Sequence, residues 1–210
     1  LARLLLELVK DYLIKMALVE YLESRGFIAN EIEGFSQQIP KQVYDLTVLI
    51  DNTDIKTVME IGFNAGHSAE IFLDTNPSIH LTSFDLGAHN YVNIAKDYID
   101  STYPSRHTLV LGDSMKTIPA WKQTTCDFIF IDGGHDYDTA KADLMNCRRF
   151  ANENTVVLMD DTMFTEGWSV SFNTGPTNAW REAIEEGVVV EITHHDYQPG
   201  RGMSWGRYKL

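Results

Sequence analysis

The residues of this sequence best equipped for chemistry are acidic, and they recur at the ends of short apolar runs. Four runs finish on aspartate: Ile79 to Asp85, Thr108 to Asp113, Cys126 to Asp132 and Thr155 to Asp160, with Asp161 next. A carboxylate can accept both hydrogen bonds of a diol or ligate a hard cation. One such aspartate could simply cap the following helix. Four at one sheet edge point to a site. Three residues beyond Asp132, in Asp-Gly-Gly-His, stands His135. Its unperturbed pKa of about 6.5 makes it a candidate base near neutrality. The alternative is a loop histidine at a helix start capped by Asp136 or Asp138.

A second pattern lies upstream, in Thr57-Val-Met-Glu-Ile-Gly-Phe-Asn-Ala-Gly-His-Ser68. Thr57 to Ile61 reads as a buried strand, and Gly62 and Gly66 as a turn. Ala69, Phe72 and Leu73 mark a helix beginning near Ser68. Strand, glycine turn and helix form the usual cofactor corner of an open α/β sheet. The spacing is Gly-x-x-x-Gly, not the pattern of dinucleotide binders. No Lys or Arg lies between Val58 and Asp85, and Glu60 precedes the first glycine closely. A pyrophosphate is poorly served here. A cofactor with a cationic amino-acid portion and no phosphate, such as S-adenosylmethionine, is better served. An ordinary strand-to-helix turn with a surface Glu60 remains the alternative.

These elements imply their supports. The four aspartate-ending runs alternate with helical stretches near 90–102, 114–121 and 138–149, which predicts a parallel sheet with right-handed crossovers. Phe128-Ile-Phe-Ile131 and Val156-Val-Leu-Met159 are apolar without alternation, as in strands buried on both faces. At the C-terminus the pattern predicts a helix over Trp180 to Glu186. Two antiparallel strands follow, Val188 to His194 and Met203 to Lys209, joined through Pro199-Gly200. Residues 2–25 read as a long helix with an apolar stripe of Leu5, Val9, Tyr12, Met16 and Val19, capped by Gly26. That stripe could pack on the sheet or on a second subunit. Residues 27–40 read as irregular, and 41–52 as a second helix.

Composition excludes several functions. At 210 residues without a linker or repeat, the chain reads as one domain: helices over 1–52 and an α/β core over 53–210. A formal charge of −13 argues against nucleic acid as partner. Charges throughout the first 25 residues argue against a signal peptide or a membrane span. Cys126 and Cys147 lack metal-type spacing, which suggests reduced thiols in a cytoplasmic compartment. The first residue is Leu1 rather than Met, which fits a piece of a longer protein.

Over about residues 55–165 the sequence resembles the class I S-adenosylmethionine-dependent methyltransferases. Within them it resembles the metal-dependent O-methyltransferases of the catechol type and the related sugar-modifying enzymes. The motif Glu60-Ile-Gly-Phe-Asn-Ala-Gly-His-Ser68 carries the likeness, with Asp85, Gly112-Asp113-Ser114, Asp132 and Asp160-Asp161. The resemblance implies a Rossmann-like sheet, mostly parallel with an antiparallel C-terminal pair. It implies cofactor contacts from Glu60, Gly62, Phe63, Asn64, Gly66, Ser68, Asp85, Leu86, Asp113, Ser114 and Asp132, with Asp85 on the ribose hydroxyls. It implies Mg2+ or Mn2+ on Asp132, Asp160 and Asp161, and His135 as base where catechol-type enzymes carry lysine. Asp85 and Asp161 replace their more usual Glu and Asn. His135 and Asp161 tilt the acceptor toward a sugar or glycan; a catechol-like phenol is the alternative. A non-catalytic S-adenosylmethionine-binding module is the competing class. The stretch Thr162 to Thr177, with Phe164, Trp168 and Phe172, is expected to be an acceptor lid or a plain long loop.

Overall fold

The computed structural model describes residues 17–28, 32, 39–122 and 125–210. Helix α1 is described over 17–24. It is followed by α2 (Pro40–Ile50), β1 (Thr57–Ile61), α3 (His67–Thr75), β2 (His80–Asp85), α4 (Val92–Thr102) and β3 (His107–Leu111). Then come α5 (Ser114–Ala120), β4 (Phe128–Ile131), α6 (Tyr137–Cys147), β5 (Val156–Asp160), α7 (Thr174–Glu185), β6 (Val189–Gln198) and β7 (Arg201–Tyr208). The strands form one sheet in the order β3-β2-β1-β4-β5-β7-β6. The first five are parallel; β7 runs antiparallel to both β5 and β6. The chain order reverses between β1 and β4, so a crevice opens at the carboxyl ends of these strands.

Alternate strand residues serve two cores, which explains the unbroken apolar runs. Val58, Phe128, Phe130 and Leu158 pack with α1 to α4 on one face. Met59, Ile129, Ile131, Val157 and Met159 pack with α5 to α7 on the other. Glu60 falls on the first face and is fully buried beneath α3. Its oxygens accept hydrogen bonds from Ser68 Oγ (2.6 Å) and Ser83 Oγ (2.5 Å). The carboxylate thus joins β1, β2 and α3 inside the core. Burial pushes its pKa up to about 7 despite the two serines.

Several element ends differ from the sequence reading. Helix α7 begins at Thr174 rather than Trp180, because Pro176 is tolerated in a first helical turn. Strands β6 and β7 extend to the Pro199-Gly200 turn, with Gln198 paired to Arg201. Strand β3 stops at Leu111, and Asp113 instead caps α5 by accepting from the Met115 amide at 3.0 Å. The expected apolar stripe of the first helix lies mostly outside the described residues. Within α1 the buried positions are Leu18 and Leu22, while Val19 is half-buried. Gly26 closes this helix as expected: its amide reaches Glu23 O and that of Phe27 reaches Leu22 O, a Schellman motif.

Helix α2 is tied to β6 by a small polar cluster. Asp45 Oδ2 accepts from His195 Nδ1 (2.7 Å), Tyr197 OH (2.8 Å) and Lys41 Nζ (3.1 Å). Burial alone would raise the Asp45 pKa, but these three donors hold it below the usual carboxylate value.

The Glu60 environment gives a pH test. Its folded pKa of about 7 lies above the ordinary 4.5, so the native state binds the extra proton between those values. Stability therefore falls as pH rises through this window and is not regained above it. Denaturant titrations of wild type and Glu60→Gln should diverge by on the order of 3 kcal/mol between about pH 4.5 and pH 8, with wild type the loser at high pH. A difference that stays constant with pH would mean that Glu60 is not held protonated.

Candidate active site

A cavity of about 750 Å³ lies at the carboxyl edge of the parallel strands. Its wall includes Gly62, Asn64, Asp85, Leu86, Asp113, Ser114, Asp132, His135, Asp160 and Asp161. The volume is in the range of small-molecule sites. The sequence reading placed all ten at the site. Glu60, Phe63, Gly66 and Ser68, expected to contact the cofactor, are not on this wall. The reason for Glu60 and Ser68 is the buried bond between them. Phe63 turns inward and stacks on His107 at 4.9 Å. Gly66 starts α3 in the left-handed conformation (φ 82°), with the Phe63 ring beneath it.

The glycine turn is built for close approach. Gly62 has φ 94°, and a Cβ there would fall 1.9 Å from the carbonyl oxygen of Asp132. No other residue fits, so the end of β1 sits directly against the residue that follows β4. The next turn residue aims at β2: the Asn64 amide donates to Asp85 Oδ2 at 2.7 Å. The Gly87 amide donates to Asp85 Oδ1 at the same distance. Two backbone donors fix the orientation of Asp85, and each oxygen keeps a lone pair for a ligand hydroxyl.

At the other end of the cavity the carboxylates crowd. His135 Nε2 lies 3.1 Å from Asp161 Oδ2 and 3.9 Å from Asp132 Oδ1. Asp132, His135 and Asp161 bring one ligand atom each within 4.8 Å of one another. Burial raises the Asp132 pKa to about 6, with His135 opposing the rise. The bonds from Asp132 and Asp161 raise that of His135 to about 10. The two carboxylates thus favour the imidazolium over the neutral form expected from the ordinary pKa. Asp160 departs from expectation too. Both its oxygens face Gln42 Nε2 of α2, at 3.0 and 2.8 Å, and Oδ1 also accepts the Asp161 amide at 2.8 Å. Burial, then Asp132 and Asp161, push its pKa well up. Asp160 thus lies on the wall, while Asp132, His135 and Asp161 are the three that converge. Asp161 itself adopts φ 56°. Such a conformation in a non-glycine residue is a strain that clusters at functional sites.

Gln42 and Arg201 were missed in the sequence, and Phe172 was named there only as part of the possible lid. Gln42 was hidden in an ordinary amphipathic helix. Phe172 lies in a 3-10 turn, Ser171–Asn173, and its ring is 5.6 Å from that of His135. Arg201 opens β7, and its Nη1 is 3.5 Å from Asp161 Oδ1. Because β7 runs antiparallel to β5, with Asp160 opposite Met203, Arg201 emerges beside the aspartates. That placement is legible only once the strand pairing is known. The stretch Thr162 to Thr177 is part lid and part frame. Phe172 borders the cavity, while Phe164 stacks on His194 at 4.2 Å and Gly175 starts α7 against the His135 carbonyl.

The sheet order and the glycine turn after β1 make this a Rossmann-like methyltransferase fold. A family model described as a methyltransferase domain matches residues 59–162, from β1 through the two strand-end aspartates. No curated protein sequence matches the chain. Among solved structures, an O-methyltransferase from Bacillus cereus in complex with S-adenosylhomocysteine is 20% identical, with TM-score 0.72 over 91% of this chain and 90% of that one. The O-methyltransferase TomG from Streptomyces achromogenes, in complex with S-adenosylmethionine, is 12% identical, with TM-score 0.71 over 94% and 90%. The S-adenosylhomocysteine-bound methyltransferase PaMTH1 from Podospora anserina is 14% identical, with TM-score 0.67 over 92% and 88%. At these identities the likeness is one of fold. No helix among the described residues is long and apolar enough to cross a membrane.

The geometry at Asp85 sets a cofactor test. Asp85→Ala should weaken S-adenosylmethionine binding by about 10- to 100-fold, the usual cost of losing a charged acceptor for buried hydroxyls. Calorimetric titration measures it. Wild-type affinity in the variant would remove Asp85 from the ribose.

Proposed function

We propose that the chain is an O-methyltransferase, moving a methyl group from S-adenosylmethionine to a hydroxyl of a vicinal diol, with a sugar or glycan as the favoured acceptor. The observation that carries this reading is the convergence of Asp132, His135 and Asp161 beside the cofactor cavity. A fold that only bound the cofactor would need no such trio. The single-domain organisation over 1–210 belongs to the same proposal. So does a cytoplasmic setting, supported by two free, buried cysteines. Leu18 and Leu22 of α1 are buried in the chain's own core, so the described residues lend no support to pairing through that helix.

The donor chemistry fits Mg2+ or Mn2+: Asp132 and Asp161 would offer hard oxygens, with Asp160 adjacent, which leaves His135 free to act as base. A divalent ion there would lower the pKa of an acceptor hydroxyl. The residues themselves do the rest. Asp85 and the turn at Gly62 to Asn64 hold the cofactor at one end of the cavity. Asp132 and Asp161 would hold such an ion, and the positive charge it supplies would favour the neutral imidazole at His135. His135 Nε2 then receives the acceptor proton as the oxygen attacks the methyl carbon in line with the sulfonium. Phe172 covers this end and excludes water. A catechol-type phenol would satisfy the same diol geometry. The absence of a lysine three residues beyond Asp132 supports the sugar reading over it.

Two measurements test the proposal. Methyl transfer should stop in excess chelator and return with Mg2+ or Mn2+; full turnover in chelator would take the metal out of the mechanism. His135→Ala should lower kcat by about 10²- to 10⁴-fold, as for a positioned general base, with cofactor affinity nearly unchanged. Near-normal kcat would make the histidine structural.

A further inference from the structure

Arg201 is the one lysine or arginine on the wall of the cavity among the described residues. In a chain with net charge −13, a single fixed cation at the reacting end needs a reason. Its guanidinium has five N–H donors, yet its hydrogen bonding within the described residues is one contact to Asp161 Oδ1 at 3.5 Å. That is longer than a well-formed charge-assisted bond. Its side chain is about a quarter exposed, at 24%. The guanidinium lies 5.8 Å from the centroid of the Phe172 ring, and that ring faces His135. Among the described residues most of the donor fork is therefore unspent, and it lies at the cavity.

Topology decides what it can meet. The cofactor-holding carboxylates Asp85 and Asp113 follow β2 and β3, on one side of the switch between β1 and β4. Arg201 opens β7, beyond β5 on the other side. A cofactor whose ribose is held at Asp85 presents its methyl near the centre, next to His135. Arg201 then lies on the acceptor's far side, out of reach of the ribose end.

We propose that Arg201 is a specificity residue that binds a carboxylate on the acceptor, so that the natural substrate is a vicinal diol bearing an acid group, such as a uronic acid. This rests on the O-methyltransferase reading above. The planar fork of arginine matches a carboxylate in a bidentate pair. A phosphate dianion would bring twice the charge toward Asp160 and Asp161, and their repulsion disfavours it. Phe172 gives the ring of the acceptor an apolar surface between Arg201 and His135.

The test uses the full chain saturated with S-adenosylhomocysteine in the presence of Mg2+. Calorimetric titrations compare probes matched except for charge: glucuronate against glucose, and 3,4-dihydroxybenzoate against catechol, with glucose 6-phosphate as a third sugar probe. The acid of at least one pair should bind at least about tenfold tighter than its neutral partner. Arg201→Gln should erase that preference and leave S-adenosylhomocysteine affinity unchanged. Equal affinities, failure of all probes to bind, a preference for glucose 6-phosphate over glucuronate, or a preference that survives in Arg201→Gln would each overturn the proposal. Loss of S-adenosylhomocysteine affinity in Arg201→Gln would also overturn it, making Arg201 a support for the site. Failure of the wild type to bind S-adenosylhomocysteine at all would instead sink the methyltransferase reading.

Discussion

The constraint that shapes this molecule is the meeting of three carboxylates, Asp132, Asp160 and Asp161, at the ends of two adjacent buried strands. Three negative charges in a partly dry crevice repel one another, and the fold answers each differently. Asp160 is held by the amide of Gln42 and by the Asp161 backbone. Asp132 and Asp161 share the imidazolium of His135, and Arg201 stands loosely by Asp161. Burial and the neighbouring Asp132 and Asp161 still push the Asp160 pKa well up, whereas Asp132 and Asp161 have His135 beside them. The same pair that keeps His135 charged would release it when a divalent cation takes over the neutralising role. In the proposed mechanism, charge balance and acid–base function are one arrangement.

The cofactor end and the acidic end are joined through backbone contact. Gly62 packs against the carbonyl of Asp132 so closely that no side chain fits between them. The turn that leads to Asn64 and Asp85 therefore sits in fixed register with the residue that opens the acidic cluster. On the other side Gly175 lies against the His135 carbonyl, which seats the start of α7, and Phe172 just before it, on the same loop. Two glycines at close approach transmit position across the crevice without any bond between side chains.

Much of this was legible in the sequence because the signals were local. Apolar runs ending in aspartate located β2, β4 and β5, and the Pro-Gly turn located the β6–β7 hairpin. The wall residues from Gly62 to Asp161 followed from being strand-terminal. What failed was what depends on neighbours. Glu60 looked like a cofactor residue by its place in the motif, but strand alternation turns it into the core, where Ser68 and Ser83 meet it. His135 looked neutral by its ordinary pKa, and the approach of Asp132 and of Asp161, twenty-six residues on, raises that pKa. Arg201 and Gln42 carried no motif; they reach the site through an antiparallel pairing and a helix docked over β5. Spacing along the chain cannot reveal any of these.

The account turns on the proposal that Asp132 and Asp161, beside His135, seat a divalent cation. Electron paramagnetic resonance of Mn2+ titrated into the S-adenosylhomocysteine-bound protein tests this without needing the acceptor. The account predicts saturable uptake of a single ion per chain, strongly weakened in Asp161→Asn while the fold is kept. Free Mn2+ signal rising in proportion to added metal, or an Asp161→Asn protein that binds as wild type does, would contradict it.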